Sequence, residues 1–529
     1  MIGVILAAGR ADPGLQNIFG EIPAALVPLN GKPSIQYVIE NMLKYGVGHF
    51  VITVDFDSAR VESTVKALRL PLGKVEFVKV SSELRPGHAL SDVVNYLGVG
   101  SVLICLADSI VEIVDPCFDD AFIAVSEIKY QSKNWCGVIT DVNNNVTGFE
   151  DKTGVQTDYV ACGMYFIPKI SQVTLGGRSY NEISDVLLKL LNGANLTKKV
   201  AVRWWDLGHL DGYFNAKSEA LSYRHFNTLE VDNFLGTIRK TSEHYNKFRH
   251  EVLWQIDLPK GLQPLVPRVL DYCIDSDEKL FILSEYYGYP TLSDLWLFPN
   301  SDTYQFRKMI DKCIEVLSYI MTFPETVEKS DYFEVYHNKT LDRIATAKSE
   351  SLVMERLFGL DSVSINEVCF KGWPILKSDV LSRLKELYDH EHNCHIHGDF
   401  CFSNILYDHQ TNVLRMIDPR GRWGNSIGGD VKYDIAKLRH SISGLYDFIV
   451  ADMFFVKLDQ DSIVLQKFSH DTHVAVAKYF DDCVSKKFDL KQVKLIEALL
   501  FLSMIPLHSD FPERQIAMFA TGIQILNEV

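Results

Sequence analysis

Through the first two hundred residues, short continuous apolar runs alternate with amphipathic stretches. Residues 2–8 are an unbroken apolar run, the pattern of a parallel strand buried on both faces. Gly9 ends it, and residues 10–20, rich in Gly, Pro and Asp, are expected to form a loop. A helix is predicted over 34–45, with Ser34 assisting its start and Gly46 its end. Strands over 50–54, 75–80 and 101–107 and a helix over 58–68 continue the alternation, and the last strand runs into Asp108. A helix over 182–191, a strand over 201–205 and a helix over 211–221 close the segment. Strand–helix alternation with glycines and carboxylates at strand ends predicts a doubly wound α/β sheet, with its site along the C-terminal strand edge.

The pattern then changes. Two short strands over 228–231 and 236–241, a helix over 249–256, and strands over 269–274 and 280–285 describe a small α+β lobe. From 303 to 390 apolar residues recur at three- and four-residue steps, as at Met309, Cys313, Val316, Leu317 and Ile320, which predicts helices. Residues 467–529 are expected to be helical and mainly core. The boundary falls near Arg224, giving domains 1–224 and 225–529. The second divides into an N-lobe over about 225–290 and a helical C-lobe over 291–529. No Pro/Gly/Ser-rich linker separates the domains, so they are expected to pack together.

Composition narrows the classes. At 529 residues, length alone suggests about three domains. A net charge of −15 argues against general affinity for nucleic acid or an anionic membrane, since both are polyanions. The expected partners are small-molecule substrates, and homo-oligomerisation stays open. Ten scattered cysteines without a Cys-x-x-Cys pair read as free thiols of a reducing compartment. The start lacks a basic n-region and no apolar run reaches eighteen residues, so stable membrane insertion is not expected and a cytoplasmic location is.

The densest chemistry lies in His-Ile-His-Gly-Asp-Phe-Cys-Phe-Ser-Asn-Ile-Leu, residues 395–406, followed by Met-Ile-Asp-Pro-Arg-Gly at 416–421. Asp399 and Asn404 are five apart, and Asp418 follows an apolar strand over 413–417. Phosphoryl transfer needs a carboxylate to accept the proton of an attacking hydroxyl. It also needs an amide and a second carboxylate to hold magnesium on the ATP phosphates. The stretch resembles the catalytic segment of the aminoglycoside phosphotransferase and choline kinase family, which implies a bilobal, protein-kinase-like α+β domain using ATP and Mg²⁺. The resemblance makes Asp399 the catalytic residue and Asn404 and Asp418 the metal ligands. It places Lys240 on the α- and β-phosphates, with Glu251 orienting it and Arg239 competing for the lysine's role. Glu285 and Tyr286 match the hinge, where backbone groups meet the adenine. Asp434 reads as an anchor of the catalytic loop, His397 as shaping that loop, and His395 as a neighbouring strand residue. Zinc on His395, His397 and Asp399 explains these residues less well. His440 and Tyr446 fit an acceptor pocket or the core equally.

The first half resembles the sugar-phosphate nucleotidyltransferases. The matching pieces run in family order: Leu6-Ala7-Ala8-Gly9, Gly31-Lys32-Pro33, Pro86-Gly87-His88-Ala89-Leu90, Asp108, Trp135-Cys136-Gly137-Val138, Phe149-Glu150-Asp151-Lys152, Ala161-Cys162-Gly163-Met164-Tyr165 and Trp205-Asp206-Leu207-Gly208-His209. The implied chemistry is attack of a substrate phosphate on the α-phosphorus of an NTP (CTP, UTP or GTP). Leu6, Ala8, Gly9 and Arg10 would meet the nucleotide, its phosphates facing backbone N–H groups after Gly9. Gly87 and His88 would flank the base, Asp108 and Asp206 would share Mg²⁺, and Glu150, Lys152 and Gly163 would flank the phosphorylated substrate. One position departs from the pattern. The family's lysine after the proline aligned with Pro23 is Ala24 here, which removes a cation that would stabilise transition-state charge. Arg10 or Lys32 could stand in, although Lys32 reads more naturally as part of the turn entering the helix.

The pairing implies a bifunctional enzyme. A kinase phosphorylates a sugar, alditol or amino alcohol, and a nucleotidyltransferase activates the product, for surface polysaccharide. The alternative is a kinase whose first domain is a degenerate nucleotide- or sugar-phosphate-binding regulatory module. A scaffold of two retired enzyme folds is a third reading. A protein kinase is disfavoured by the absence of DFG-type and APE-type strings.

Overall fold

The computed structural model describes residues 1–68, 70–81, 85–97, 100–114, 116–127, 134–151, 157–170, 180–191, 195–221, 227–274, 280–298 and 303–529. The chain divides into two compact units, the first Met1–Ala220, the second Leu221–Leu297 with Ser301–Val529. The expected boundary at Arg224 lies outside the described residues.

The first unit is built on a nine-stranded mixed sheet, counting described strands. Its parallel half runs Gly100–Leu106, Ile2–Leu6, His49–Val54, Lys74–Lys79. The antiparallel strand Tyr159–Ile170 pairs with Gly100–Leu106 and extends the sheet to Cys136–Thr140 and Val146–Asp151. Phe122–Glu127 pairs with Tyr159–Ile170 and, in parallel, with Thr197–Val200. The continuous apolar runs are strands because both faces are covered: Val4, Val51, Val102 and Ile104 are fully buried. Each such side chain contributes about 1.5–3 kcal/mol, which fixes the strand ends where the site lies.

Two expectations need correction. Residues 10–20 are not all loop, because Pro13–Phe19 is a helix. Asp12 accepts a hydrogen bond from Gly14 N, Pro13 occupies the first turn, and Leu15 and Phe19 are buried one turn apart. The strand at Trp205 runs Arg203–Asp206 and does not close the main sheet. It pairs with Ser109–Glu112 as a separate ribbon, which brings Asp206 opposite Ser109.

The second unit begins with a four-stranded antiparallel sheet, in the order Asn227–Asp232, Thr237–Ser242, Phe281–Glu285, Val269–Cys273. Helix Tyr245–Ile256 packs on it through Phe248 and Val252 against Ile274, Leu280 and Ile282. Helices Thr303–Ile320, Lys339–Glu350, Asp471–Val484, Leu490–Met504 and Pro512–Glu528 follow in the larger part. The helical expectation for 303–390 fails at Ser362–Ile365 and Val368–Lys371, a hairpin that joins Phe454–Asp459 and Ser462–Lys467 in a four-stranded sheet. Helix Val431–Ile442 is buried along its whole length although it carries Lys432, Asp434, Lys437, Arg439 and His440. Buried charges need partners: Arg439 pairs with Asp481 and Glu497, and Lys432 reaches the Leu387 carbonyl and Gln492, whereas neither ring nitrogen of His440 is hydrogen-bonded among the described residues. Among the described residues no helix is long and apolar enough to cross a membrane.

Candidate active sites

In the first unit, parallel strand Ile2–Leu6 ends between two anchors. Ala7 N donates to Thr53 Oγ1 and Ala107 N to the Leu6 carbonyl. Ala8 is buried, and Gly9 and Arg10 are exposed beyond it. Asp108 leaves the neighbouring strand, and its carbonyl accepts from Leu207 N (2.8 Å), which draws in the Asp206 loop. A Cβ on Gly208 would lie 2.7 Å from Asp108 Oδ2 and 3.2 Å from Asp206 Oδ1, so both carboxylates close on one backbone position.

The two acids are not equivalent. Asp206 Oδ2 accepts from Trp135 Nε1 (2.7 Å) and His209 Nδ1 (2.8 Å), and Oδ1 accepts from Gly208 N (2.9 Å). Among the described residues no side chain donates to Asp108. Burial, and then the charge of Asp206, push its carboxyl up to about 6. The bond to Asp206 raises His209. A divalent cation fits here, because Asp108 lacks compensation and Asp206 keeps spare lone-pair capacity.

A cavity joins Asp108, Asp206, His209, Trp135, Glu182 and Gly163. Gly163 has φ +81° and a Cβ there would meet Leu106 at 2.8 Å, so its place in the cavity wall requires glycine. Strand alternation puts Phe149 and Asp151 on the cavity face and Glu150 on the other. Lys152 lies outside the described residues. Gly87 and His88 belong to helix Pro86–Tyr96, where Gly87 is packed against the Glu182 carbonyl and His88 is half-buried.

The missing lysine has a defined place. Ala24 sits in a buried turn, with its N–H on the Gly9 carbonyl (3.1 Å), beside the loop expected to meet phosphate. Its proposed substitutes are engaged elsewhere. Arg10 stacks 3.9 Å over Phe56 and pairs with Glu21, and Lys32 pairs with Glu40 at 3.0 Å.

In the second unit, Lys240 Nζ donates to Glu251 Oε1 (2.5 Å) and to Asp418 Oδ1 (2.8 Å). Arg239 instead stacks 3.7 Å over Phe281, on the opposite face of the strand. Burial opposes the Lys240 charge, but the two carboxylates outweigh it and its pKa rises. One ammonium cannot neutralise two acids, and burial pushes Glu251 up to about 7.

Asp399 Oδ2 and its carbonyl accept from Asn404 Nδ2 (2.9 and 3.0 Å), and Oδ1 accepts from Lys437 Nζ (2.8 Å). Burial would raise Asp399, but Lys437 outweighs it and holds the carboxyl at about 2. Asn404 thereby commits its NH₂ and keeps its amide oxygen as an acceptor. That oxygen and the Asp418 carboxylate are a donor set Mg²⁺ takes together with phosphates and water. Among the described residues no three His, Cys, Asp or Glu side chains gather as a metal cluster, and neither centre needs one on that pattern.

The loop is set by the buried helix. Asp434 accepts from His397 N (2.7 Å) and Gly398 N (2.8 Å). Burial lowers the His397 pKa, so the ring is neutral. It donates from Nε2 to the Ile417 carbonyl (3.0 Å) and accepts the Asp399 N–H at Nδ1 (3.3 Å). His395 bonds Glu325, and His440 is buried between Tyr446 and Phe501. At the expected hinge, Glu285 N donates to the Arg268 carbonyl and Tyr286 N to the Gly236 carbonyl.

Sequence reasoning did not assign His209 or Trp135 a role, although His209 follows Asp206 by three. It also missed Lys437, one helical turn from Asp434, and Arg420, two residues after Asp418.

The chain is similar to the "Bifunctional protein GlmU" of Methanococcus maripaludis strain C5, 23% identical over 235 residues, which are 42% of this chain and 55% of that protein. The strain C7 protein of the same description is 23% identical over 222 residues, 40% and 52%. The chain thus spans about half the length of these curated relatives. Among solved structures, HddC from Yersinia pseudotuberculosis is 21% identical, with a TM-score of 0.35, covering 41% of this chain and 99% of that one. The inositol-1-phosphate CTP transferase from T. maritima is 17% identical, with a TM-score of 0.34, covering 40% and 90%. Residues 2–222 match the family model described as nucleotidyl transferase, so the first unit carries a nucleotidyl transferase domain.

Proposed function

We propose that the protein makes a nucleotide-activated small molecule in two steps, one in each unit. The second unit moves the γ-phosphoryl of ATP to a hydroxyl of a sugar, alditol or amino alcohol, releasing ADP. The first joins the phosphorylated product to the nucleotidyl group of CTP, UTP or GTP, releasing pyrophosphate. The product is a precursor for surface polysaccharide, made in the cytoplasm.

The observation that carries the reading is Lys240 bonded at once to Glu251 and Asp418, in the same unit as the Asp399–Asn404 pair. Lys240 holds the ATP phosphates, Glu251 positions Lys240, and Asp399 takes the proton of the acceptor hydroxyl. Bound Mg²⁺, held by Asn404 and Asp418 here and by Asp108 and Asp206 in the first unit, supplies charge neutralisation at the phosphates.

The test supplies the purified chain with Mg·ATP and a panel of acceptors, then each NTP. ADP release that depends on an acceptor, followed by pyrophosphate release that depends on the first product, is expected. A chain that binds no Mg·ATP would sink the kinase step. A second reading, in which the first unit only binds nucleotide or sugar phosphate and regulates the second, is favoured by Ala24 with Arg10 and Lys32 both engaged. Pyrophosphate release from any NTP and sugar phosphate would remove it.

A further inference from the structure

Beside Asp399 lies a group of cations that transfer chemistry alone does not require. Tyr433, buried on helix Val431–Ile442, accepts at its hydroxyl from Arg420 Nη1 (2.8 Å) and Lys339 Nζ (3.3 Å). Lys437, one turn along the same helix, holds Asp399. Arg420 is locked against the catalytic loop, since Gly398 has φ +77° and a Cβ there would lie 2.8 Å from Arg420 Cβ. Three cations thus gather round the Tyr433 phenol, and of these Lys437 is the one paired with Asp399. The other acids nearby are occupied: Asp434 caps loop amides, and Asp430 caps its own helix and bonds Tyr336. Among the described residues neither Lys339 nor Arg420 has a carboxylate partner, while the Asp399 side chain is 37% exposed. The cluster is therefore half-open and short of negative charge. Burial and neighbouring cations lower Lys339, and the three cations outweigh burial to bring the Tyr433 phenol down to about 8.

An unpaired cluster of this kind is costly unless an anion completes it. We propose that Lys339 and Arg420 form the acceptor-recognition site of the second unit and that the acceptor is a hydroxy compound bearing a carboxylate or phosphate group. The anion sits on Arg420 and Lys339, and the hydroxyl faces Asp399. A quaternary or primary amine acceptor is disfavoured. The nearby aromatics Tyr332, Tyr336, Trp423 and Tyr433 are filled by one another, each at most 3% exposed, and Tyr433 is already faced by Lys339 and Arg420 at 5.8 and 5.7 Å. The inference rests on the kinase reading for its hydroxyl but not for its anion.

The test separates the two. Calorimetry on the full chain compares glycerate and glycerol 3-phosphate with glycerol and ethanolamine, with and without Mg·ATP. At least one anion is expected to bind about 10- to 100-fold tighter than glycerol, the carboxylate and phosphate arms naming the preferred group. Lys339→Gln and Arg420→Lys are compared with Lys339→Arg, each checked by thermal melt. Lys339→Gln should lose that preference and keep Mg·ATP affinity, and Lys339→Arg should keep both. Because Arg420 packs on the loop, Arg420→Lys tests the loss of its fork without loss of charge and should weaken the anion while leaving glycerol unchanged. Equal affinity for glycerol and both anions, or an anion preference untouched by Lys339→Gln, would overturn the proposal. Anion binding that depends on Lys339 in a chain that binds no Mg·ATP would support the site and remove the kinase reading.

Discussion

The two centres hold their carboxylates in opposite electrostatic states. In the first, Asp108 has no side-chain donor among the described residues and is pushed up to about 6, with only His209 nearby to offset Asp206. In the second, Asp399 pairs with Lys437 and is held at about 2, and Asp418 shares Lys240 with Glu251. The first centre waits for a cation, and the second has cations built in. Position 24 belongs to this contrast, because the absent lysine would stand beside the Gly9 loop of the poorer centre.

The sharpest way to break the comparison is Asp399→Asn. Asparagine keeps the shape and can still accept from Lys437, but it takes no proton. Acceptor-dependent ADP release should fall about 10³-fold, within the range of general-base contributions. Mg·ATP affinity and pyrophosphate release from a supplied sugar phosphate should be unchanged. A fall in pyrophosphate release as well would mean that the centres are not independent.

Ala24→Lys tests the other side. If the missing cation is what sets the first centre apart, restoring it should raise pyrophosphate release about 10²-fold, the scale of a well-placed transition-state donor. No gain, in a variant that melts normally and binds NTP, would place the deficit elsewhere in the first unit.

Acid should separate the units by stability. His473 is buried and neutral: Nδ1 accepts the His470 N–H (2.9 Å) and Nε2 donates to the Trp296 carbonyl (3.0 Å). Burial lowers its pKa to about 4. The unfolded side chain titrates near 6.5, so between about pH 6.5 and 4 the unfolded state takes up the proton and the folded state does not. The second unit should lose roughly 3 kcal/mol across that window from His473 alone. The first unit slopes the other way. His209 is raised, so its contribution is full below about 6.5 and lost as pH rises through its folded value. The raised Asp108 likewise favours the first unit at low pH. Urea titrations at about pH 7.5 and 4.5, read by hydrogen exchange in second-unit peptides, should show the wild type losing more on acidification than His473→Gln, since the raised Glu251 and Asp434 act in the opposite sense in both. Equal losses would break the contrast.

What was legible in the sequence were patterns that local physics enforces. Apolar runs became the parallel strands, and Lys240 met Glu251 because the strand and helix that carry them are adjacent in the chain. Asp399, Asn404 and His397 lie within one loop, so their spacing nearly dictates their contacts. The cationic cluster was not legible. Lys339 and Tyr433 are 94 positions apart, and nothing local marks a surface lysine as one that will face a phenol. Helix Pro13–Phe19 was hidden by its composition, since the Asp, Pro and Gly that suggested a loop are its cap and first turn. The split between Glu150 and its neighbours was not legible either, because a motif names a stretch, whereas a strand offers only alternate residues to one face, here Phe149 and Asp151 to the cavity.

The hairpin missed within 303–390 provides the finest test, because it tags one unit. Ile365 and Val368 are paired, so Asn366 and Glu367 form a two-residue turn, with φ of +51° and +67°. Both are left-handed, as a type I′ turn requires. Asparagine tolerates that conformation, but an L-glutamate strains its Cβ, and no hydrogen bond or ion pair of the exposed Glu367 repays it among the described residues. Glu367→Gly removes the strain and adds chain entropy to the unfolded state, which offsets part of the gain. The net should be about 0.5–1 kcal/mol of stabilisation, read as slower exchange in second-unit peptides and no change in those of the first. A matching shift in first-unit peptides would show that the units unfold together, and the pH contrast above would then have to be read as one slope. Destabilisation would mean that Glu367 does something in the turn that its backbone angle does not reveal.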